Sequence, residues 1–242
     1  PSRWRMPIAR MVRPFFTFFG FRYVKVSGWP GVLRPEDFSG RAVYSDLERI
    51  GFVETSHEKL NRLYENSLWG LKSNFLDMPT DCPQRDERLG WTGDAQVFCP
   101  TASFHMDTRA FYHKYLADLR YDQLRNNGKV ANFLPNLQPG GTASVWGDVA
   151  TFLPTVLYRY YGDVSAFTWH YPLMKDWVDY IHRQDQARGT RDLFDFGFHF
   201  GDWLALDGRT DQSVFGGTDS FFIASCYYYA SAQMVAQAAK VL

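Results

Sequence analysis

From Thr55 onward, apolar residues recur at helical intervals, and this periodicity restricts the fold more than any other feature of the sequence. Thr55 and Glu58 have the spacing of a capping box, so we expect the first helix to begin there. Further helical segments each follow a turn or a capping residue. Their predicted starts are Gly93, Asp107, Asp148, Asp163 and either Thr218 or Asp219. Together the segments predict a mainly α domain. The long connections 126–147 and 189–217 exceed what a compact bundle needs and are expected to form a functional rim.

Two of the predicted helices show which of their faces should be buried. The third, which follows Asp107, places Phe111, Tyr115 and Leu119 on one side. The apolar face of the first helix consists of Leu60, Leu63, Tyr64, Leu68, Leu71 and Phe75.

The first fifty residues have a different pattern, which is typical of strands. Residues 16–26 are rich in aromatic and β-branched side chains, the Gly-Trp-Pro-Gly sequence at 28–31 forms a turn, and a second short strand is predicted over 41–44. Two strands do not form a stable sheet alone. We therefore interpret residues 1–50 as the end of a β-sandwich domain with its linker, and residues 51–242 as a separate helical domain. A start at proline instead of methionine also suggests a piece of a longer chain.

Charge and hydropathy argue against several classes of partner. The 26 basic residues are balanced by 26 acidic ones, so no basic stripe is available for a phosphate backbone, and we expect no nucleic-acid partner. Charged residues or glycines interrupt each apolar run before the roughly 20 residues that a membrane span needs, and no signal-peptide pattern opens the sequence. Three cysteines without a paired spacing slightly favour a reducing, cytoplasmic compartment. The sequence shows no metal-ligand spacing, so we expect neither a metal ion nor a cofactor.

The segment 77–94 is the most informative part of the sequence, because it places five carboxylates, two arginines and a tryptophan between two apolar helical segments. Glycoside hydrolysis usually needs two carboxyl groups in different protonation states, and neighbouring acids and arginines can separate their pKa values. Aromatic residues make up 18% of the chain; most should lie in the core, but rings beside acids can stack on sugars. A charged surface loop has a similar composition. From spacing alone, the candidate proton donors are Asp81, Asp86, Glu87 and Asp94.

Residues 81–95, DCPQRDERLGWTGDA, resemble the signature of the α-L-rhamnosidases of glycoside hydrolase family seventy-eight. Residues 18–31 resemble the last strands of that family's β-sandwich, and segments 144–150 and 200–205 resemble later parts of its pocket. The resemblance covers most of the chain. It implies a partial (α/α)6 toroid, of which this chain forms the N-terminal half, preceded by the last strands of a β-sandwich domain.

The resemblance also implies roles for the acidic segment. Glu87 would be the catalytic general acid that protonates the departing glycosidic oxygen. Asp81, Arg85 and Asp94 would hydrogen-bond the hydroxyl groups of rhamnose. The implied reaction is the inverting hydrolysis of terminal α-L-rhamnose from rhamnose-containing glycosides, either flavonoid glycosides or pectic oligosaccharides.

Tryptophans would complete the pocket that the resemblance implies. Trp91, Trp146 and Trp203 would form an apolar wall against the sugar ring and the C6 methyl of rhamnose, which would favour rhamnose over a sugar with a hydroxyl there. Asp202 and His199 are further candidates for the same rim.

An inverting mechanism needs a second carboxylate, about 6.5–9.5 Å from the acid, to activate water. The resemblance implies that this glutamate lies past residue 242. Asp202 and Asp219 are the nearest substitutes, although a pocket ligand and a helix cap are simpler roles for them. The alternative function is therefore a non-catalytic carbohydrate-binding fragment without the general base. A third hypothesis is a chain that does not fold stably, because half a toroid exposes apolar helix faces.

Overall fold

The computed structural model describes residues 12–136, 141–207, 210 and 213–242. The described part of the chain is mainly helical, as the sequence predicts, and all six predicted helices are present. Parts of both long connections lie outside the described residues. The helices are α1 (Glu58–Asn74), α2 (Thr92–His105), α3 (Arg109–Arg125), α4 (Val149–Tyr161), α5 (Val164–Gln186) and α6 (Ser220–Val241). The short strands are β1 (Phe75–Leu76), β2 (Met78–Pro79), β3 (Gly90–Trp91) and β4 (Phe133–Leu134), and a 3-10 helix spans Pro35–Asp37.

Local signals set the starts of α5 and α6 and the end of α4. Asp163 and Asp219 cap α5 and α6, because their carboxylates accept the backbone N–H of Ser165 at 3.0 Å and of Phe222 at 2.8 Å. Gly162 ends α4 in the left-handed conformation with φ of 66°. The capping box predicted at Thr55 is not formed, since Glu58 is already the first residue of α1.

The helices pack around a core in which α4 contacts α2, α5 and α6. A buried carboxylate joins three of these elements. Asp148 accepts hydrogen bonds from Trp177 Nε1 at 2.8 Å, Ser231 Oγ at 2.6 Å and the Val145 backbone N–H at 2.8 Å. Burial raises the pKa of Asp148, while the three donors oppose that effect. The donors offset the cost of removing a carboxylate from water.

The burial predicted for α1 is only partly confirmed. Leu68 and Leu71 are buried, whereas Leu60 and Leu63 are 53% and 64% exposed. No element among the described residues covers the N-terminal half of this face. The prediction for α3 is confirmed, because its three apolar side chains are buried.

The strands predicted over residues 16–26 and 41–44 are not formed in the structure. Residues 12–44 are irregular apart from the short 3-10 helix, and nearly all of them are exposed. Strand conformation is stabilised by hydrogen bonds to a neighbouring strand, and none of the described residues provides that neighbour to this segment. None of the described helices combines the length and the hydropathy needed to cross a membrane.

Candidate functional site

A cavity of about 680 Å³ opens between α1, the start of α2, α6 and two loops. Five of the nine residues that the sequence nominated for the site line this cavity. They come from separate stretches of the chain. The fold brings together side chains that are up to 122 positions apart in the sequence, from Asp81 to Trp203. The five are Asp81, Asp94, Trp146, Asp202 and Trp203.

The loop of residues 81–89, here called the acid loop, is fixed at both of its ends. The Asp81 backbone N–H donates to the Leu89 carbonyl at 3.1 Å, which closes the loop on itself. Beyond it, β3 pairs with β4 in antiparallel register, with Gly90 opposite Leu134. The Tyr115 hydroxyl also donates to the Gly90 carbonyl at 3.1 Å. The acid loop therefore connects two points that the helical core holds.

Glu87 lies in this loop with both carboxylate oxygens hydrogen-bonded. The Trp91 indole N–H donates to Oε1 at 3.0 Å, and Arg85 Nε donates to Oε2 at 2.9 Å. Arg85 Nη2 also forms an ion pair with Oε2 at 2.6 Å. The Glu87 side chain is 30% exposed and that of Arg85 60% exposed, so the ion pair adds little stability. Its main effect is to orient the carboxylate.

Glu87 is also close to the cavity acid Asp81. One ligand atom each from Asp81, Cys82 and Glu87 lies within 4.8 Å of the others. Among the residues that the structure describes, this is the group of side chains whose spacing would allow them to bind a metal ion. Burial, with Asp81 adding to it, raises the pKa of the Cys82 thiol to about 11, which disfavours the thiolate that a metal would need. The cluster therefore places Glu87 beside a carboxyl group that lines the cavity, although Glu87 itself is not a lining residue. The other nominated residues that do not line the cavity are Arg85, Trp91 and His199.

Asp94 is a cavity-lining carboxyl group whose pKa is raised above its usual value. Its surface is open to solvent through the cavity, but the surrounding protein displaces enough water to raise its pKa, and the negative charges of Asp81 and Glu87 add to the effect. Asp94 is therefore easier to protonate than an aspartate in water.

Three cavity-lining residues carry buried polar atoms without a hydrogen-bond partner. These atoms are the acceptors Asn74 Oδ1 and Asp81 Oδ1 and the donor Trp146 Nε1. Leaving such groups unpaired is unfavourable. A ligand with several hydroxyl groups can satisfy acceptors and donors alike, because a hydroxyl donates one hydrogen bond and accepts others.

Phe200 organises the aromatic part of the site, and sequence reasoning did not single it out. Its ring lies 4.1 Å from that of Trp146 and 5.4 Å from that of Trp203. Trp203 is 44% exposed and lines the cavity. Trp91 packs on Phe133 at 4.9 Å, and its indole N–H is directed to Glu87. Phe200 is the first residue of the segment 200–205, and the resemblance of this segment to a pocket segment is the sequence signal that points to Phe200.

His199 is buried beside the cavity, and both of its ring nitrogens are engaged. Nδ1 accepts the Ser144 backbone N–H at 3.0 Å, and Nε2 lies 3.0 Å from the Phe196 carbonyl, to which it donates. Burial lowers the pKa of His199, which favours this neutral tautomer. The imidazole therefore connects the loop that carries Trp146 to the loop that carries Phe200.

The structure thus consists of helical hairpins that surround a cavity lined by carboxylates and indoles, as in a glycosidase of the helical-hairpin type. Residues 48–242 match the family described as the bacterial alpha-L-rhamnosidase 6 hairpin glycosidase domain, and residues 9–44 match the bacterial alpha-L-rhamnosidase concanavalin-like domain. The chain belongs to this bacterial α-L-rhamnosidase family.

Individual relatives agree with this assignment. The chain is 40% identical over 232 residues to an alpha-L-rhamnosidase of Formosa agariphila, covering 95% of this chain and 24% of the relative. The native α-L-rhamnosidase of Aspergillus terreus is similar in structure, with a TM-score of 0.73, 35% identity, and coverage of 82% of this chain and 23% of that one. The Streptomyces avermitilis enzyme complexed with L-rhamnose gives 0.68 at 35% identity, covering 77% and 17%. The chain spans about a quarter of the length of the curated relatives it matches.

Proposed function

We propose that this protein takes part in the hydrolysis of terminal α-L-rhamnose from rhamnosides, with Glu87 as the proton donor. The observation that carries the proposal is that the Glu87 carboxyl group lies beside that of Asp81, which is part of the lining of a cavity with acids and indoles. The membership of the α-L-rhamnosidase family supports it, as does the relative that was solved with L-rhamnose. We also propose a domain boundary after residue 50, near the point where the two family matches meet.

In the proposed reaction, Glu87 protonates the glycosidic oxygen as the bond to the anomeric carbon breaks. The Trp91 N–H and Arg85 hold its two oxygens in place. Inversion further requires a carboxylate about 6.5–9.5 Å away that activates water on the opposite face of the sugar. Asp202 lines the cavity. It is therefore the residue of this chain that we would test as the general base. The expectation that the base lies past residue 242 stays a prediction.

The remaining cavity residues fit the recognition of a deoxy sugar. Asp81 Oδ1 and Trp146 Nε1 would take the hydroxyl groups, since both lack a partner. Asp94 would donate or accept as its protonation requires. Trp146 and Trp203 offer apolar surface to the C6 methyl, whose burial contributes roughly 1–3 kcal/mol of discrimination. The proposed substrates are flavonoid rhamnosides or pectic oligosaccharides.

The test is the hydrolysis of p-nitrophenyl α-L-rhamnopyranoside by the wild type and by Glu87→Gln. Glutamine keeps the shape and can accept the Trp91 hydrogen bond, but it cannot donate a proton to the leaving group. We expect kcat to fall roughly 10²- to 10⁴-fold, with L-rhamnose binding retained in a calorimetric titration. Glu54→Gln, an exposed glutamate, is the matched control. Full activity in Glu87→Gln contradicts the assignment of the acid.

A second measurement tests the stereochemistry. Proton NMR of the first product should show β-L-rhamnose before mutarotation, because water attacks the face opposite to the leaving group. First release of the α-anomer would reject inversion. Binding of L-rhamnose without turnover by the wild type would instead identify a carbohydrate-binding fragment.

A further inference from the structure

The acid loop is contacted by a stretch of chain that is distant in sequence. Among the described residues 12–44, Phe18 has the smallest exposed fraction and is the one residue that is half-buried. The guanidinium carbon of Arg88 lies 4.5 Å from the centroid of its ring. Arg88 directly follows Glu87, so this contact is made one residue away from the proposed acid.

The backbone and the side chain of Arg88 both carry an energetic cost, which a favourable contact can offset. Its φ of 54° lies in the left-handed region, which residues with a Cβ rarely adopt. Its Nε is buried and has no hydrogen-bond partner. The face of an aromatic ring attracts a cation and replaces part of the lost hydration. The Phe18 ring therefore stabilises the conformation of the residue next to Glu87.

A second contact reaches the other side of the acid loop. A Cβ placed on Gly20 would lie 2.7 Å from the Gln84 Cα and 2.8 Å from the Pro83 carbonyl oxygen. Both of these are backbone atoms, which can move only if the loop moves. The approach is therefore open to glycine alone at this position. Phe18 thus contacts the acid loop after Glu87, at residue 88, and Gly20 contacts it before Glu87, at residues 83–84.

We infer that Phe18 and Gly20 are positioning residues for the proposed acid. They hold residues 83–88 in the conformation that keeps Glu87 within reach of the Trp91 N–H and beside Asp81. The inference rests on the proposed role of Glu87. It extends that role to a segment that matches the concanavalin-like domain and not the six-hairpin domain.

The first test compares Phe18→Leu with Phe18→Tyr. Leucine keeps an apolar contact but removes the ring face, whereas tyrosine keeps the face. We expect Phe18→Leu to lower kcat about three- to tenfold with KM within about twofold, which is the range that a cation–π contact of this exposure supports. The limb of the kcat–pH profile that reports the acid should also move, because the hydrogen bonds of Glu87 change. Phe18→Tyr should leave both kcat and the pH profile as in the wild type. Phe21→Leu, an exposed neighbour, is the matched control.

The second test does not depend on catalysis. Cys82 lies in the acid loop and is partly exposed, Cys99 is buried, and Cys226 is exposed. In a Cys226→Ser background, the rate of modification by an aromatic disulfide reagent therefore reports how far the loop opens at Cys82. We expect the rate to rise about tenfold in Phe18→Leu and in Gly20→Val, and to stay within about twofold in Phe18→Tyr, provided that circular dichroism shows each variant to be folded.

The two tests separate the two proposals. Unchanged Cys82 reactivity in both Phe18→Leu and Gly20→Val, with an unchanged pH profile, overturns the positioning role. Increased Cys82 reactivity combined with full activity in Glu87→Gln instead rejects Glu87 as the acid and leaves the control of the loop by Phe18 and Gly20 standing.

Discussion

Gly93→Ala tests whether the cavity wall tolerates a single added methyl group. Gly93 is the second residue of α2, and a Cβ there would lie 2.6 Å from Cε2 and 2.8 Å from Nε1 of Trp146. Carbon atoms in favourable contact are about 3.5–4.0 Å apart, so the indole or the helix must move by about 1 Å. The indole has little freedom, because it is buried and its ring centroid lies 4.1 Å from that of Phe200.

Two opposing effects set the expected magnitude. Alanine stabilises a helical position by about 1 kcal/mol relative to glycine, and overpacking of a well-packed site costs about 1–3 kcal/mol. We therefore expect a net destabilisation of about 0–2 kcal/mol, or a fall in Tm of up to about 4–8 °C at roughly 2–4 °C per kcal/mol. Gly70→Ala is the matched control within α1. Its Cβ would meet nothing within 4 Å, so this variant should be stabilised by about 0.5–1 kcal/mol.

Thermal unfolding followed by circular dichroism measures these changes, and calorimetric titration with L-rhamnose measures their effect on the site. We expect weaker binding in Gly93→Ala, because the displaced indole carries Nε1, which is proposed to meet the sugar. If Gly93→Ala is as stabilising as Gly70→Ala and binds L-rhamnose like the wild type, the contact between α2 and Trp146 does not shape the cavity.

Four further substitutions have clear expected outcomes. Asp148→Asn should cost about 1.5–3 kcal/mol in urea denaturation, because an amide NH₂ then faces a hydrogen-bond donor in a buried site. Asp219→Asn should be near neutral, because asparagine caps helices as well as aspartate does; equal losses in the two variants would contradict this argument. Burial, with repulsion from a neighbouring histidine, lowers the pKa of His170 from 6.5 to about 4. The neutral imidazole therefore contributes fully to the free energy of unfolding above pH 6.5. This contribution is lost as the pH falls from 6.5 towards 4. His170→Gln should reduce this loss of stability by up to about 3 kcal/mol. The measurement is the urea midpoint at pH 7 and at pH 4.5. An equal difference between the two midpoints in the variant and in the wild type would reject the role of His170. Trp91→Phe should lower kcat and leave KM unchanged, because it removes the donor to Glu87 and keeps the aromatic packing; a KM effect alone would favour the apolar-wall role.

Sequence reasoning succeeded where the determining interactions are local. The starts of α5 and α6 follow from Asp163 and Asp219, whose side chains reach backbone N–H groups two and three residues away. The end of α4 follows from the conformational freedom of Gly162. Such contacts lie within one helical turn, so a single sequence contains all of the information that they require.

The failures share the opposite property. Residues 16–26 have strand-like side chains, but a strand also needs a hydrogen-bonding neighbour, and the pattern does not state whether one is present. The direction of the Trp91 indole N–H was equally inaccessible. A tryptophan beside acids can present either its ring face or its N–H, and the choice is made by the pairing of β3 with β4 and by the ring of Phe133.

The site itself depends on buried polar contacts that connect loops to distant parts of the fold. Asp148 accepts the Val145 N–H and so fixes the turn before Trp146, while bonds from α5 and α6 fix Asp148 in turn. His199 connects Ser144 to the loop that carries Phe200. Because each of these groups is buried, breaking one contact leaves an unpaired partner that favours movement of the loop. The position of the cavity indole and the stability of the helical core are therefore coupled through the same hydrogen bonds, so substitutions far from the cavity can change its shape without lining it.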